Sequence, residues 1–121
     1  QIAFEVDGPL PDGTARVDPA QLEQALVNLL RNAHESGSPA PEVRLRVRRS
    51  SGSVAIDVCD RGSGMSDAVL AQALLPFYST KRGGTGLGLT LVREIAEAHG
   101  GRVSLANRTG GGLSVTITLP Q

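Results

Sequence analysis

The sequence predicts one α+β domain: a two-layer sandwich in which a mixed, largely antiparallel sheet carries helices on one face. Three observations lead there. Two segments place apolar residues at helical spacing, several short segments alternate apolar and polar residues as strands do, and neighbouring strands are joined by stretches short enough for hairpins. The 121 residues suffice for one core and are too few for two comfortable ones. No repeat or internal linker divides them, so residues 1–121 read as a single domain.

In chain order, Ile2-Ala3-Phe4-Glu5-Val6 alternates as a short strand, Asp7-Gly8-Pro9 turns the chain, and Thr14–Val17 is a candidate second strand. Asp18-Pro19 starts a helix: an N-cap acid, then proline at the first helical position, with Gln21 placed to reach back to the cap. Leu22, Leu26, Leu29, Leu30 and Ala33 form its apolar stripe, and Gly37-Ser38-Pro39 ends it. Val43, Leu45 and Val47 alternate with Arg44, Arg46 and Arg48, a strand with one wet face, and Val54, Ile56 and Val58 make its hairpin partner. Ser66–Leu75 reads as a short helix, Pro76–Gly84 as a loop, and about Thr85 to His99 as a second long helix closed by Gly100-Gly101. Strands near Arg102–Ala106 and Leu113–Leu119 finish the chain.

Composition narrows the function classes. Hydrophobic residues at 40% place the chain among globular proteins. Twelve basic side chains balance twelve acidic ones and aromatics are only 2%, which argues against a nucleic-acid partner: there is neither a basic excess nor a stacking platform. No apolar run reaches the length of a membrane span and no secretory signal is visible, so direct membrane contact is not expected. The single Cys59 has no internal disulfide partner, which fits a cytoplasmic setting. Gln1 in place of an initiator methionine reads as a fragment of a longer chain, which leaves open a membrane-anchored parent.

Three segments carry chemistry. Asn28 and Asn32 lie four apart, so both amides leave one face of the first helix, where neutral carbonyl oxygens suit Mg²⁺. Taken alone, the pair is equally compatible with two exposed amides. Asp60-Arg61-Gly62-Ser63-Gly64 follows a strand directly; a carboxylate there accepts a hydrogen bond from an exocyclic amine such as adenine N6, and glycines admit a ring close to the backbone. In isolation a plain turn is the simpler reading. Gly83-Gly84-Thr85-Gly86-Leu87-Gly88-Leu89 runs into the second long helix, and backbone N–H groups at a helix start cradle phosphate. Gly86 and Gly88 in that first turn weaken the helix by about 1 kcal/mol each relative to alanine, a penalty that a purely structural helix has little reason to carry. No Gly-Lys-Ser/Thr follows, so it is not a Walker loop.

In this order and spacing the three segments resemble the nucleotide-binding domains shared by histidine kinases, DNA gyrase, the Hsp90 chaperones and MutL, and within that family the ATP-binding catalytic domain of sensor histidine kinases. Asn28–Asn32 is similar to the Asn box, Asp60–Gly64 to the first glycine box, Pro76-Phe77-Tyr78-Ser79-Thr80-Lys81 to the Phe box, and Gly84–Leu89 to the second glycine box. His99-Gly100-Gly101 and the closing Leu119-Pro120 also fit, so the resemblance covers nearly the whole chain.

The resemblance implies a Bergerat-type fold, ATP and Mg²⁺ as ligands, and a role for each matched residue. Asn32 coordinates the metal and Asn28 supports the phosphates. Asp60 binds the adenine amine, and Gly62 and Gly64 leave room for the ring. Gly84, Thr85, Gly86, Leu87 and Gly88 wrap the phosphates, and the stretch from Pro76 to Gly84, with Thr80 in it, forms a short lid whose Lys81 or Arg82 reaches the γ-phosphate. For Lys81 and Arg82 a solvated lid charge is an equal alternative. Asn28, Lys81 and Arg82 are thus the candidate catalytic residues. Phe77 and Tyr78 resemble residues that meet the phosphoacceptor helices, with core packing an equal alternative for Phe77.

The implied function is transfer of the γ-phosphate to a histidine on a separate phosphoacceptor domain of the same parent, a homodimer that acts on a response regulator downstream. Gyrase- and chaperone-like members carry a glutamate where this chain has Asn28, and an amide is no general base. Phosphotransfer is therefore favoured over a nucleotide-gated clamp; a protein-serine kinase of the anti-sigma type is the nearer alternative. One departure is Glu35, where many histidine kinases have a basic residue. His34-Glu35-Ser36-Gly37-Ser38-Pro39 imitates a phosphoacceptor box, but Gly37 breaks the helix that an acceptor needs.

Overall fold

The computed structural model describes residues 3–7, 17–35, 37, 42–50, 52–74 and 88–120. They form β1 (Ala3–Asp7), α1 (Pro19–Glu35), β2 (Arg44–Ser50), β3 (Ser53–Cys59), α2 (Asp67–Gln72), α3 (Gly88–Ala98), β4 (Arg102–Asn107) and β5 (Leu113–Pro120). The strands make one sheet in the order β1-β2-β3-β5-β4. β1 runs parallel to β2 and the other neighbours are antiparallel, so the sheet is mixed and largely antiparallel as expected. Of the other expectations, Thr14–Arg16 and the Pro76–Gly84 loop lie outside the described residues, and Val17 is irregular rather than strand.

Strand register explains the two faces. Leu45 pairs with Val58, Val58 with Val115 and Val115 with Leu105; the next apolar row joins Val47, Ile56, Ile117 and Val103. Because side chains alternate along each strand, these rows share one face. That face meets Ala25, Leu29 and Ala33 of α1 and Val92, Ile95 and Ala96 of α3 in the core. The buried stripe of α1 is centred on Ala25–Leu29–Ala33, while Leu22, Leu26 and Leu30 pack only partly against it. Ala25 stands outside the leucine stripe expected from the sequence, yet it is wholly buried in the core that α1 shares with α3 and the sheet.

The opposite face is polar. Arg46, Asp57, Thr116 and Ser104 form one row across it. Asp57 is only 4% exposed, and its carboxylate takes Arg48 Nε at 2.7 Å and Arg48 Nη2 at 3.1 Å, along with the Thr116 hydroxyl. Burial alone would raise its pKa, but the hydrogen bonds from Arg48 and Thr116 and the charges of Arg48 and Arg46 prevail and hold it below the ordinary carboxylate value. Cys59 is buried on this face with Sγ 3.6 Å from Ser114 Oγ, because β3 is flanked on both sides.

Helix ends follow local chemistry. Asp18 Oδ1 accepts from Ala20 N at 2.9 Å and Gln21 N at 3.3 Å, the expected N-cap. The return partner differs from the expectation: Asp18 N donates to His99 Nε2 at 2.9 Å rather than to the Gln21 side chain, because the end of α3 lies beside the start of α1. His99 Nδ1 meets Ile95 O at 2.7 Å, so the ring also serves a last-turn carbonyl of its own helix. A peptide N–H only donates and a carbonyl only accepts, so the hydrogen sits on Nδ1. Gly100 has φ +79° and Gly101 N donates to Ala96 O at 2.8 Å, a left-handed stop of the Schellman kind. Among the described residues no helix is long and apolar enough to cross a membrane.

Candidate functional site

β3 delivers Asp60 to the edge of the core. The ladder to β5 continues one step past the strand, where Asp60 N donates to Leu113 O at 3.0 Å, and the chain then loops away to Ser66. Asp60 is only 4% exposed. Its Oδ1 accepts from Gly62 N at 2.9 Å, which closes a tight Asx turn, and from Leu113 N at 3.1 Å. Oδ2 accepts from no donor among the described residues. Oδ2 is not among the atoms sealed in the interior without a partner, so with its twin engaged by two amides it is the accessible edge of the carboxylate, an acceptor open to a donor from outside. An exocyclic amine is a donor of the required kind.

Gly62 and Gly64 belong to this same loop, and Gly64 has φ +67°. Asn28 and Asn32 sit half-buried on α1, one turn apart, on the flank of the Ala25–Leu29–Ala33 stripe away from Leu26 and Leu30. α1 packs on α3 and β3 in the helical layer, whose sheet delivers Asp60. Among the described residues no group of three or more His, Cys, Asp or Glu is placed to hold a metal. An asparagine carbonyl is a neutral oxygen donor of the kind that a hard cation such as Mg²⁺ accepts beside phosphate and water.

Gly88 is the first residue of α3. Phe77, Tyr78, Thr80, Lys81, Arg82, Gly84, Thr85, Gly86 and Leu87 lie outside the described residues. The base of that segment is tied: Thr90 Oγ1, on buried Thr90, donates to Leu74 O at 3.0 Å, which joins the first turn of α3 to the end of the α2 region. Ser66 caps α2 by accepting from Val69 N at 3.2 Å. His34 and Glu35 are exposed in the last turn of α1, which stops before Gly37 at φ +91°, so His34 has no continuing helix beyond it. A surface hollow lined by Gly52, Ser53, Gly101 and Arg102 lies at the other end of β3 from Asp60 and involves none of the expected site residues.

Asp60 is surrounded by residues from the far end of the chain that no sequence motif marks. Leu113 supplies an N–H to the carboxylate, and the β4–β5 turn lies against the loop through Arg108, whose Nη1 donates to Asp60 O at 2.9 Å. The glycine run Gly110–Gly112 signals a turn in the sequence, but nothing local ties it to residues some fifty positions earlier.

A family model described as histidine kinase-, DNA gyrase B- and HSP90-like ATPase matches residues 17–121, and the chain belongs to that family. It is 41% identical over 124 residues to the C4-dicarboxylate transport sensor protein DctS of Rhodobacter capsulatus, covering 99% of this chain and 19% of the relative. It is 35% identical over 120 residues to the sensor histidine kinase ZraS of Escherichia coli K12, covering 99% of this chain and 25% of the relative. Among solved structures, the nucleotide-free catalytic domain of the histidine kinase ThkA superposes with a TM-score of 0.83 at 29% identity, covering 98% of this chain and 77% of that one. Full-length ShkA in complex with AMPPNP gives 0.83 at 31% identity, covering 99% and 25%. The architecture is that of histidine-kinase catalytic domains, and the chain spans 19% to 25% of the length of these two curated relatives.

Proposed function

We propose that residues 1–121 form one ATP-binding domain that takes up Mg-ATP and donates the γ-phosphate to a histidine on a separate dimerisation and phosphoacceptor domain of a longer parent, in two-component signal transduction. The observation that carries this reading is the buried Asp60 carboxylate, one oxygen held by the Gly62 and Leu113 amides and the other open to an amine, in a chain of this ATPase family. ShkA, solved with AMPPNP, is a relative that binds such a nucleotide analogue.

Asp60 fixes the adenine, and the Gly62 and Gly64 backbone leaves space for the ring. Asn32 offers its carbonyl oxygen to Mg²⁺, and Asn28 steadies the phosphates from the same helix face. When bound, the metal neutralises phosphate charge. Thr80, Lys81 or Arg82 and the Gly84–Gly88 turn act at the phosphate end. Asn28 has no useful basicity, so water is not activated there and the phosphoryl group is kept for an acceptor. Parent dimerisation, a response regulator downstream and a cytoplasmic location belong to the same proposal.

The test mixes the chain with labelled ATP, Mg²⁺ and the parent's acceptor helices supplied separately. Acid-labile phosphate on the acceptor is the expected product. An acid-stable phosphoserine product would select the serine-kinase alternative, and fast ATP hydrolysis with no acceptor the clamp. Asn32→Ala should bind nucleotide equally with and without Mg²⁺; a retained metal dependence removes Asn32 from the metal.

A further inference from the structure

The loop from Asp60 to Met65 has no regular structure of its own, yet base recognition requires its carboxylate to stay fixed. What fixes it is the turn between β4 and β5. The Asn107 carboxamide accepts from Met65 N at 2.8 Å and donates through Nδ2 to Met65 O, so a single side chain satisfies both polar groups of that residue as a neighbouring strand would. At the other end of the loop, Arg108 Nη1 holds the Asp60 carbonyl at 2.9 Å. Arg61 grips in the reverse direction, its Nη1 donating to Thr109 O at 2.8 Å and Gly111 O at 2.9 Å.

The turn is itself closed, with Arg108 N donating to Gly112 O at 2.9 Å and Gly111 N to Arg108 O at 3.1 Å. At Gly112, with φ +101°, an added Cβ would stand 2.0 Å from Asp60 O, so the two backbones touch there and only glycine fits. Asn107 is exposed and Arg108 half-buried, and neither belongs to the apolar core. Their polar contacts therefore bear on where the loop sits rather than on whether the sandwich forms.

We infer that Asn107 and Arg108 are positioning residues of the nucleotide site: they clamp the Asp60–Met65 loop to the β4–β5 turn, so that Asp60 Oδ2 faces the adenine amine. This rests on the reading of Asp60 as the adenine partner. Asn107 acts at the far end of the loop, on Met65, and Arg108 at its start, on the Asp60 carbonyl.

The test titrates the chain and its Asn107→Ala and Arg108→Met variants with Mg-ATP and with Mg-inosine triphosphate, which has a carbonyl where adenine has its amine. The preference for ATP should fall about 5- to 20-fold in each variant, with the metal dependence unchanged and amide exchange at Met65 accelerated. Asn107→Asp keeps the acceptor for Met65 N and loses the donor; a smaller loss of preference there keeps the test open should the alanine variant not fold. A wild-type preference that survives in both variants overturns the inference alone. Equal weakening for both nucleotides, in step with a lowered Tm, overturns it too, because that is loss of fold rather than of position. A wild-type chain with no preference between the two nucleotides overturns the Asp60 reading, and this inference with it.

Discussion

Replacing Asp60 by asparagine preserves the shape of the side chain and changes what one of its two terminal atoms can do. Oδ1 would still accept from Gly62 N and Leu113 N, now at 2.9 and 3.1 Å, so the Asx turn and the fold should survive. The other oxygen becomes an NH₂ group in a site that is 4% exposed. Facing an adenine amine, it sets donor against donor. Losing one charge-assisted hydrogen bond of about 1.5–3 kcal/mol should weaken ATP binding roughly 10- to 150-fold. The same NH₂ is a fitting partner for the carbonyl of inosine triphosphate, so the ratio of the two affinities should move further than either alone. Calorimetric titration of Asp60→Asn and wild type with both nucleotides measures that ratio, and urea unfolding checks that the variant is folded. An unchanged ratio in a folded variant refutes the assignment of Asp60 to the base.

His99→Ala removes both the acceptor for Asp18 N and the group that meets Ile95 O, and should lower stability by about 1–2 kcal/mol in urea unfolding; an unmoved midpoint would show that the ring does not join α1 to α3 energetically. Asp57 has a folded pKa below its ordinary 3.8, so the unfolded chain takes up that proton first as the pH falls. Its contribution is complete above about 3.8 and is lost as the pH drops through the lower folded value. Asp57→Asn should flatten the acid limb of stability measured from about pH 5 down to about pH 2, and an equally steep limb in the variant would place the acid sensitivity elsewhere.

The candidate site was legible where its signals are local. The spacing of Asn28 and Asn32 fixes their common face because a helix has one period, and Asp60 stands at a strand end because Val54, Ile56 and Val58 alternate up to it. The phosphate-end residues from Thr80 to Leu87 lie outside the described residues, so their assignment still rests on the resemblance. Asn107, Arg108 and Leu113 gave no sequence signal of a link to Asp60, since a side chain's partner about fifty residues away leaves no periodicity behind.

The same division holds for the fold. Asp18-Pro19 opening α1, Ser66 capping α2 and Gly100-Gly101 closing α3 were set by the sequence alone, because capping and left-handed backbone depend on a few adjacent residues. Packing alone decided that β5 lies between β3 and β4, that β1 runs parallel to β2, that Ala25 is buried and that His99 takes the Asp18 amide from Gln21. These depend on which surfaces meet once the chain has collapsed, and burial and hydrogen-bond satisfaction then choose among pairings that local chemistry leaves equal.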